Sequence, residues 1–190
     1  QKIDELGLSD RVTVEICDYA DHVGHYDKIS SVGMSEHIGT ANYPRYFEKI
    51  NSLLRDRGLV LNHAIARRAK ATKRQAKKIR PERKFLLKYI FPGSELIPVG
   101  TTTDTLENTG FEVHDVESLR EHYALTLKYW SKNLTANKEE AIRLVGPERY
   151  RLWAAYMTGG SVGFTAGSIK IYQVLASKRA SKGLSGMPPT

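Results

Sequence analysis

Apolar and polar positions along the chain fall into short blocks of two different periods. Residues 12–17 (VTVEIC) set Val12, Val14 and Ile16 two apart and predict a short buried strand. After a polar loop containing Gly24, residues 28–32 (KISSV) predict a second strand. Residues 43–54 then carry Tyr46, Phe47, Ile50, Leu53 and Leu54 on one helical face, with Gly58 placed to end the helix. Residues 59–65 (LVLNHAI) predict a third strand and 111–116 (FEVHDV) a fourth, and 169–175 (IKIYQVL) form the last. Helices are expected at 85–91, stopped by Pro92-Gly93, and at 102–109. A third spans 117–132, amphipathic through Leu119, Tyr123, Leu127 and Trp130, and a long fourth spans 147–164. Residues 1–10 have helix-like composition and lead straight into the first strand, and residues 181–190 read as a mobile tail. Strands alternating with helices predict one α/β domain over residues 1–180 with a mainly parallel sheet.

Charge changes this picture at one place. The net charge is +8, yet residues 67–88 hold eleven basic residues against one acid, Glu82, which leaves the rest slightly acidic. A run of this kind is a solvated face, a nucleic-acid footprint or a patch for anionic lipid headgroups. It has no aromatic residue between Arg67 and Arg83, so the stacking platforms of single-strand binders are absent from it. The single cysteine, Cys17, excludes an internal disulfide framework and a thiolate zinc site, and fits a reducing cytosol. No apolar run is long enough to span a bilayer.

Ligands of parallel α/β sheets sit beyond the carboxyl ends of the strands. Two such ends carry unusual chemistry: 28–32 runs into Gly33-Met34-Ser35-Glu36-His37-Ile38-Gly39, and 59–61 into Asn62-His63-Ala64-Ile65. If the strands are neighbours, Glu36 and His63 face one crevice, where a carboxylate and an imidazole orient a small polar group and manage its protons. Two plainer readings stand beside this one, Glu36 as a helix cap and His63 as a hydrogen-bonded core histidine. His22 and His25 lie in a polar loop with Asp18 and Asp21, a solvated loop rather than a metal site; His114 reads as strand surface and His122 as helix surface. Neither a glycine-rich phosphate loop nor a G-x-S-x-G elbow occurs.

An ordered series of motifs then resembles the cyclopropane-fatty-acyl-phospholipid synthases and the related mycolic-acid methyltransferases. It comprises Asp18-Tyr19-Ala20-Asp21, the stretch from Tyr26 through Gly39, Asn42-Tyr43, Tyr46-Phe47, Leu61 to Ile65, Lys88 to Gly93, Glu121 to Leu127, Trp130 and Tyr172-Gln173-Val174. The resemblance covers nearly the whole chain and is to the C-terminal part of the family's catalytic domain. It implies a class I S-adenosylmethionine-dependent methyltransferase fold, a Rossmann-like sheet whose N-terminal strands and main cofactor loop lie upstream. The implied reaction moves the sulfonium methyl to a cis double bond of an unsaturated, phospholipid-bound acyl chain; the carbocation then loses a proton to bicarbonate and closes a cyclopropane. The same cation can instead lead to a methylene or, with later reduction, a methyl branch.

The resemblance assigns bicarbonate to Glu36, His63, the backbone of Ile65 and the Tyr123 hydroxyl, and part of the S-adenosylmethionine site to Asp18 and Tyr19. No metal is implied. The sequence departs from the family in three places: the cysteine of the long C-terminal helix is replaced around Gly159-Gly160, Phe91-Pro92-Gly93 continues as Ser94-Glu95, and the basic insertion is longer and more charged. For a lipid-modifying enzyme, Arg67, Arg68, Lys70, Lys73, Arg74, Lys77 and Lys78 suggest peripheral docking on an anionic membrane, at the cytoplasmic side of the inner membrane, with no nucleic-acid partner. Two other readings remain: a nucleic-acid methyltransferase or binder using the basic segment, and a non-catalytic fragment.

Overall fold

The computed structural model describes residues 1–69, 81–180 and 182–187. Its centre is a four-stranded sheet in the order β1-β2-β4-β3, built from β1 (Tyr26–Val32), β2 (Leu54–Arg67), β3 (Phe111–Ser118) and β4 (Ile169–Lys178). The helices are α1 (Lys2–Glu5), α2 (Tyr43–Leu53), α3 (Pro81–Tyr89), α4 (Val99–Asn108), α5 (Arg120–Ala136) and α6 (Lys138–Thr165). Alternation along β4 divides the core between the two sheet faces. Val174 and Ala176 join Tyr46, Phe47 and Ile50 of α2, Leu106 of α4, and Phe111. Ile171 instead joins Ala124 and Leu127 of α5 and Phe164 of α6 on the opposite face. The result is helices on both sides of one sheet.

Three expectations need correction. First, the sheet is mixed: β1 and β2 pair in parallel, but β4 runs antiparallel to both β2 and β3. Alternating strands and helices did keep β1, β2 and β3 pointing one way, but β4 entered in reverse between β2 and β3. Two packed helices, α5 and α6, separate β3 from β4; one helix would return the chain for a parallel strand, and the second carries it back to the end where β3 stops. Second, residues 12–17 form no strand; Val14 is 74% and Ile16 104% exposed. Period-two apolar residues make a strand only where a neighbour takes up the backbone hydrogen bonds, and among the described residues none does. Third, helix at the N-terminus is limited to the four residues of α1.

Gly58 also has a different task from the one expected. The helix ends at Leu53, and Gly58 lies inside β2, where the register against β1 slips between Tyr26 and Lys28. A Cβ at Gly58 would lie 2.8 Å from the Arg55 carbonyl oxygen and 2.9 Å from Leu54 Cδ2, so the glycine permits close approach of backbone. The end of α2 is held instead by Lys178, whose Nζ donates to the carbonyls of Asn51 (3.0 Å) and Leu54 (2.8 Å). The long helix α6 breaks at Gly146 (φ 80°, ψ 160°), and Pro147 opens its second segment, where a proline costs no hydrogen bond. Residues 70–80, 181 and 188–190, which carry most of the basic run and part of the expected tail, lie outside the described residues.

Overpacking at a rigid backbone contact costs about 1–3 kcal/mol. Gly58→Ala should therefore lower the thermal midpoint by several degrees, as measured by circular dichroism. A midpoint equal to the parent's would show that the strand shifts to accept the methyl group.

Candidate functional site

Gly33, at φ 64°, turns the chain out of β1 in a conformation that suits glycine, and its N–H donates to the His63 carbonyl at 2.9 Å. This is where the parallel ladder between β1 and β2 ends. A 3-10 turn, Ser35–His37, follows and buries Glu36 to 7% exposure. Glu36 Oε1 accepts the backbone N–H of Ile65 at 2.7 Å, so its carboxylate reaches across to β2. Oε2 has only a long contact with the Ser35 hydroxyl, 3.4 Å. The condition set by the sequence is thus met: β1 and β2 are neighbours, with Glu36 at the end of β2.

His63 lies two residues before Ile65 and so on the same face of β2, the one packed against α5 and α6. Its Nδ1 is buried and without a hydrogen-bond partner among the described residues. Tyr123 projects from α5 into this region, edge-on to Phe164 at 4.9 Å and to Trp130 at 6.0 Å. Burial raises its phenol pKa, and the nearby Glu36 charge raises it further. The backbone N–H of Ile65 donates to Glu36 in this structure.

Tyr156 of α6 belongs to the same constellation and was not singled out from the sequence. Its pKa is pushed up to about 12, first by burial and then by Tyr123 and Glu36. Its ring meets Phe91 at 5.2 Å and Trp153 at 5.5 Å. Tyr43 approaches from α2; burial raises its pKa, the Ser35 hydroxyl opposes this, and Glu36 and Glu95 reinforce it. Glu95, one of the residues that departs from the family's pattern, proves structural. Its backbone N–H donates to the Glu36 carbonyl at 2.8 Å, and its carboxylate accepts the Thr40 N–H and hydroxyl, which hold its pKa down. Gly160 lies where α6 crosses α5, and a Cβ there would come within 3.0 Å of Leu127 Cδ1.

The remaining candidates lie elsewhere. Asp18 Oδ1 accepts the Ala20 N–H at 2.9 Å, a local turn bond, and Tyr19 packs edge-on against Tyr46 at 5.1 Å. Arg67 donates from Nε to the Leu96 carbonyl at 3.0 Å, which ties β2 to the following loop, whereas Arg68 is exposed. Lys70, Lys73, Arg74, Lys77 and Lys78 lie outside the described residues. His114 is not free surface, since its Nε2 meets Ser177 Oγ at 2.7 Å. In the loop of His22, the atoms that could bind a metal belong to Glu15, Cys17 and His22 rather than to its aspartates.

The site is thus a buried carboxylate held by backbone, an imidazole nitrogen without a partner among the described residues, and phenols kept protonated around them. It sits at the carboxyl edge of parallel strands in a sheet covered on both sides. That architecture is the S-adenosylmethionine-dependent methyltransferase fold: the structure superposes on the cyclopropane synthase MmaA2 of Mycobacterium tuberculosis with a TM-score of 0.79, at 26% identity, covering 89% of this chain and 63% of that one. A mycolic acid cyclopropane synthase, CmaA1, solved with SAH and CTAB, matches with a TM-score of 0.75 at 32% identity, covering 84% of this chain and 58% of that one. Residues 1–174 match the family described as mycolic acid cyclopropane synthetase, and the chain belongs to that family. A probable fatty acid methyltransferase of Pseudomonas putida is 38% identical over 192 residues, which take in 100% of this chain and 48% of the relative. The chain spans about half the length of the curated relatives it matches.

Because the Tyr156 phenol ionises higher folded than unfolded, it stabilises the fold fully below the ordinary tyrosine pKa near 10. That contribution is lost as pH rises through about 12. Tyr156→Phe should remove the latest-ionising step from an absorbance titration at high pH and flatten the loss of stability in that window. Loss of a step near 10 instead would place Tyr156 in water.

Proposed function

We propose that the protein transfers a methyl group from S-adenosylmethionine to the cis double bond of an unsaturated, phospholipid-bound acyl chain, forming a cyclopropane or methylated chain with bicarbonate as proton acceptor. The observation that carries this reading is the Glu36–Ile65 hydrogen bond, which holds a buried carboxylate against β2 two residues from His63, whose Nδ1 is buried without a partner among the described residues. That orphan nitrogen needs a partner, and a small group that both donates and accepts hydrogen bonds suits the set of Glu36, His63 and Tyr123. Bicarbonate is such a group; when bound it would supply a base for the departing proton, and S-adenosylmethionine would supply an electrophilic methyl.

The chain's own residues define the rest of the work. An alkene is a weak nucleophile, so the reaction needs tight alignment in a site closed to water. Phe91, Tyr123, Trp130, Tyr156 and Phe164 provide aromatic walls with ring separations of 4.9–6.0 Å. Their faces tolerate developing positive charge without reacting with it. Tyr123 and Tyr156 stay protonated, because burial and the Glu36 charge disfavour a phenolate, and so act as donors. Toward the cofactor, Asp18 keeps Oδ2 for an adenine amino group while Oδ1 closes its own turn. Tyr19, braced on Tyr46, would wall that edge.

Among the described residues no helix is long and apolar enough to cross a membrane. We assign docking to the basic segment on its charge, with the protein peripheral on the cytoplasmic surface of the inner membrane. Each basic residue near an anionic leaflet contributes about 1 kcal/mol. Replacing Lys70, Lys73, Arg74, Lys77 and Lys78 together with glutamine should sharply weaken sedimentation with phosphatidylglycerol vesicles, and salt should do the same to the parent. Binding indifferent to both would rule out the docking role.

The reaction itself is tested with labelled cofactor and unsaturated phospholipid, using the full-length protein. Glu36→Gln should reduce turnover by about 100-fold or more, the usual worth of a positioned proton-handling group. Tyr123→Phe should cost about tenfold, as one hydrogen bond lost. No label transfer to lipid by the parent, with the cofactor shown to bind, would refute the assignment.

A further inference from the structure

At the same edge of the sheet as Glu36 there is an open hollow of about 360 Å³, lined by Arg68, Arg120, Thr165, Ala166, Gly167 and Lys170. Three cations therefore face one space, but they are not equivalent. Arg120 donates from Nη1 to the carbonyls of Phe164 (2.7 Å) and Thr165 (3.1 Å), and from Nη2 to Glu121 (2.6 Å). It thereby covers the negative end of α6 and is itself paired with a carboxylate. Among the described residues, Arg68 and Lys170 pair with no carboxylate. The hollow is left with two uncompensated cations beside a helix end whose dipole Arg120 already offsets.

Its position gives this charge a use. Lys170 stands opposite Ala66 in the β2–β4 ladder, one residue beyond Ile65, whose N–H holds Glu36. Arg68 follows Arg67 at the end of β2, about 10 Å along the chain direction from Ile65 at the usual strand rise. The hollow is large enough for a headgroup and polar enough not to attract the hydrocarbon itself. One fork of N–H donors and one ammonium also suit a phosphodiester, with Arg in a planar contact and Lys as a point charge.

We propose that the hollow between Arg68, Lys170 and the α6–β4 turn seats the phosphodiester of the phospholipid headgroup, tethering the lipid while its acyl chain reaches Glu36. This deepens the function proposed above and rests on it for the identity of the lipid, but it is read by binding rather than by methyl transfer.

The test is calorimetric titration of the full-length protein with dihexanoylphosphatidylglycerol below its micelle concentration, alongside inorganic phosphate. Arg68→Gln and Lys170→Gln should each weaken lipid binding about tenfold, the loss of one charge-assisted hydrogen bond. Lys128→Gln, an exposed change on α5, should leave binding unaltered, and inorganic phosphate should bind more weakly than the lipid. Arg68 is exposed at a strand end, so its variant keeps the test valid even if the Lys170 variant proves unstable. Equal losses in all three variants would mean diffuse attraction and overturn the proposal. Phosphate binding as tight as lipid binding would make this a free-anion site and overturn it too, as would no binding by the parent. Lipid binding with the expected variant pattern but no methyl transfer would refute the function and leave this pocket standing.

Discussion

The hydrogen bond from the Ile65 N–H to Glu36 Oε1, at 2.7 Å, is the contact on which the site depends. It solves two problems at once. The parallel ladder ends where Val32 meets His63, so the N–H of Ile65 on that side has no strand to receive it. A buried N–H without a partner is costly, and a buried carboxylate without donors costs more. Glu36 stands where the next residue of β1 would have been, and each group satisfies the other. The geometry that aims the carboxylate is therefore the same geometry that closes the sheet, and a change at either partner disturbs both.

This contact is reinforced by the chain around it. Gly33 allows the sharp exit from β1, and its N–H makes the last backbone bond to β2. Glu95 holds the far side by bonding the Glu36 carbonyl through its own N–H and Thr40 through its carboxylate. The turn carrying Glu36 is thereby fixed from β2 and from the loop before α4. Burial of apolar side chains on the two sheet faces stabilises the platform, while these few polar bonds decide where one carboxylate points.

Much of this was legible in the sequence, for reasons that can be named. Both strand ends carrying Glu36 and His63 followed from β-branched runs that stop at polar residues, and β1 and β2 lie where those runs lie. Tyr123 could be placed on the inner face of α5 by periodicity, but its link to Glu36 came only with the family resemblance. Tyr156 was missed because a phenol on an apolar helix face looks the same as core packing; its partners Phe91 and Tyr123 are far away in sequence. The reversal of β4 was equally hidden, since local periodicity carries no information about which strands become neighbours. Residues 12–17 show the same limit from the other direction, with strand-like alternation and no pairing among the described residues.

Charge is separated across the molecule in a way that bears on the proposed chemistry. Around Glu36, the groups that perturb Tyr123 and Tyr156 are burial, another phenol and the carboxylate itself, with no lysine or arginine among them. Cations without a carboxylate partner among the described residues stand apart from it, at Arg68 and Lys170. A neutral alkene that gains a methyl cation becomes positive, and a basic side chain inside the pocket would oppose that step at low dielectric. At the rim, screened by water, Arg68 and Lys170 would attract the proposed anionic headgroup without acting on the reacting carbon. Under the proposed function, negative charge and aromatic faces within, with positive charge at Arg68 and Lys170, would let one protein attract an anionic headgroup and tolerate a cationic intermediate.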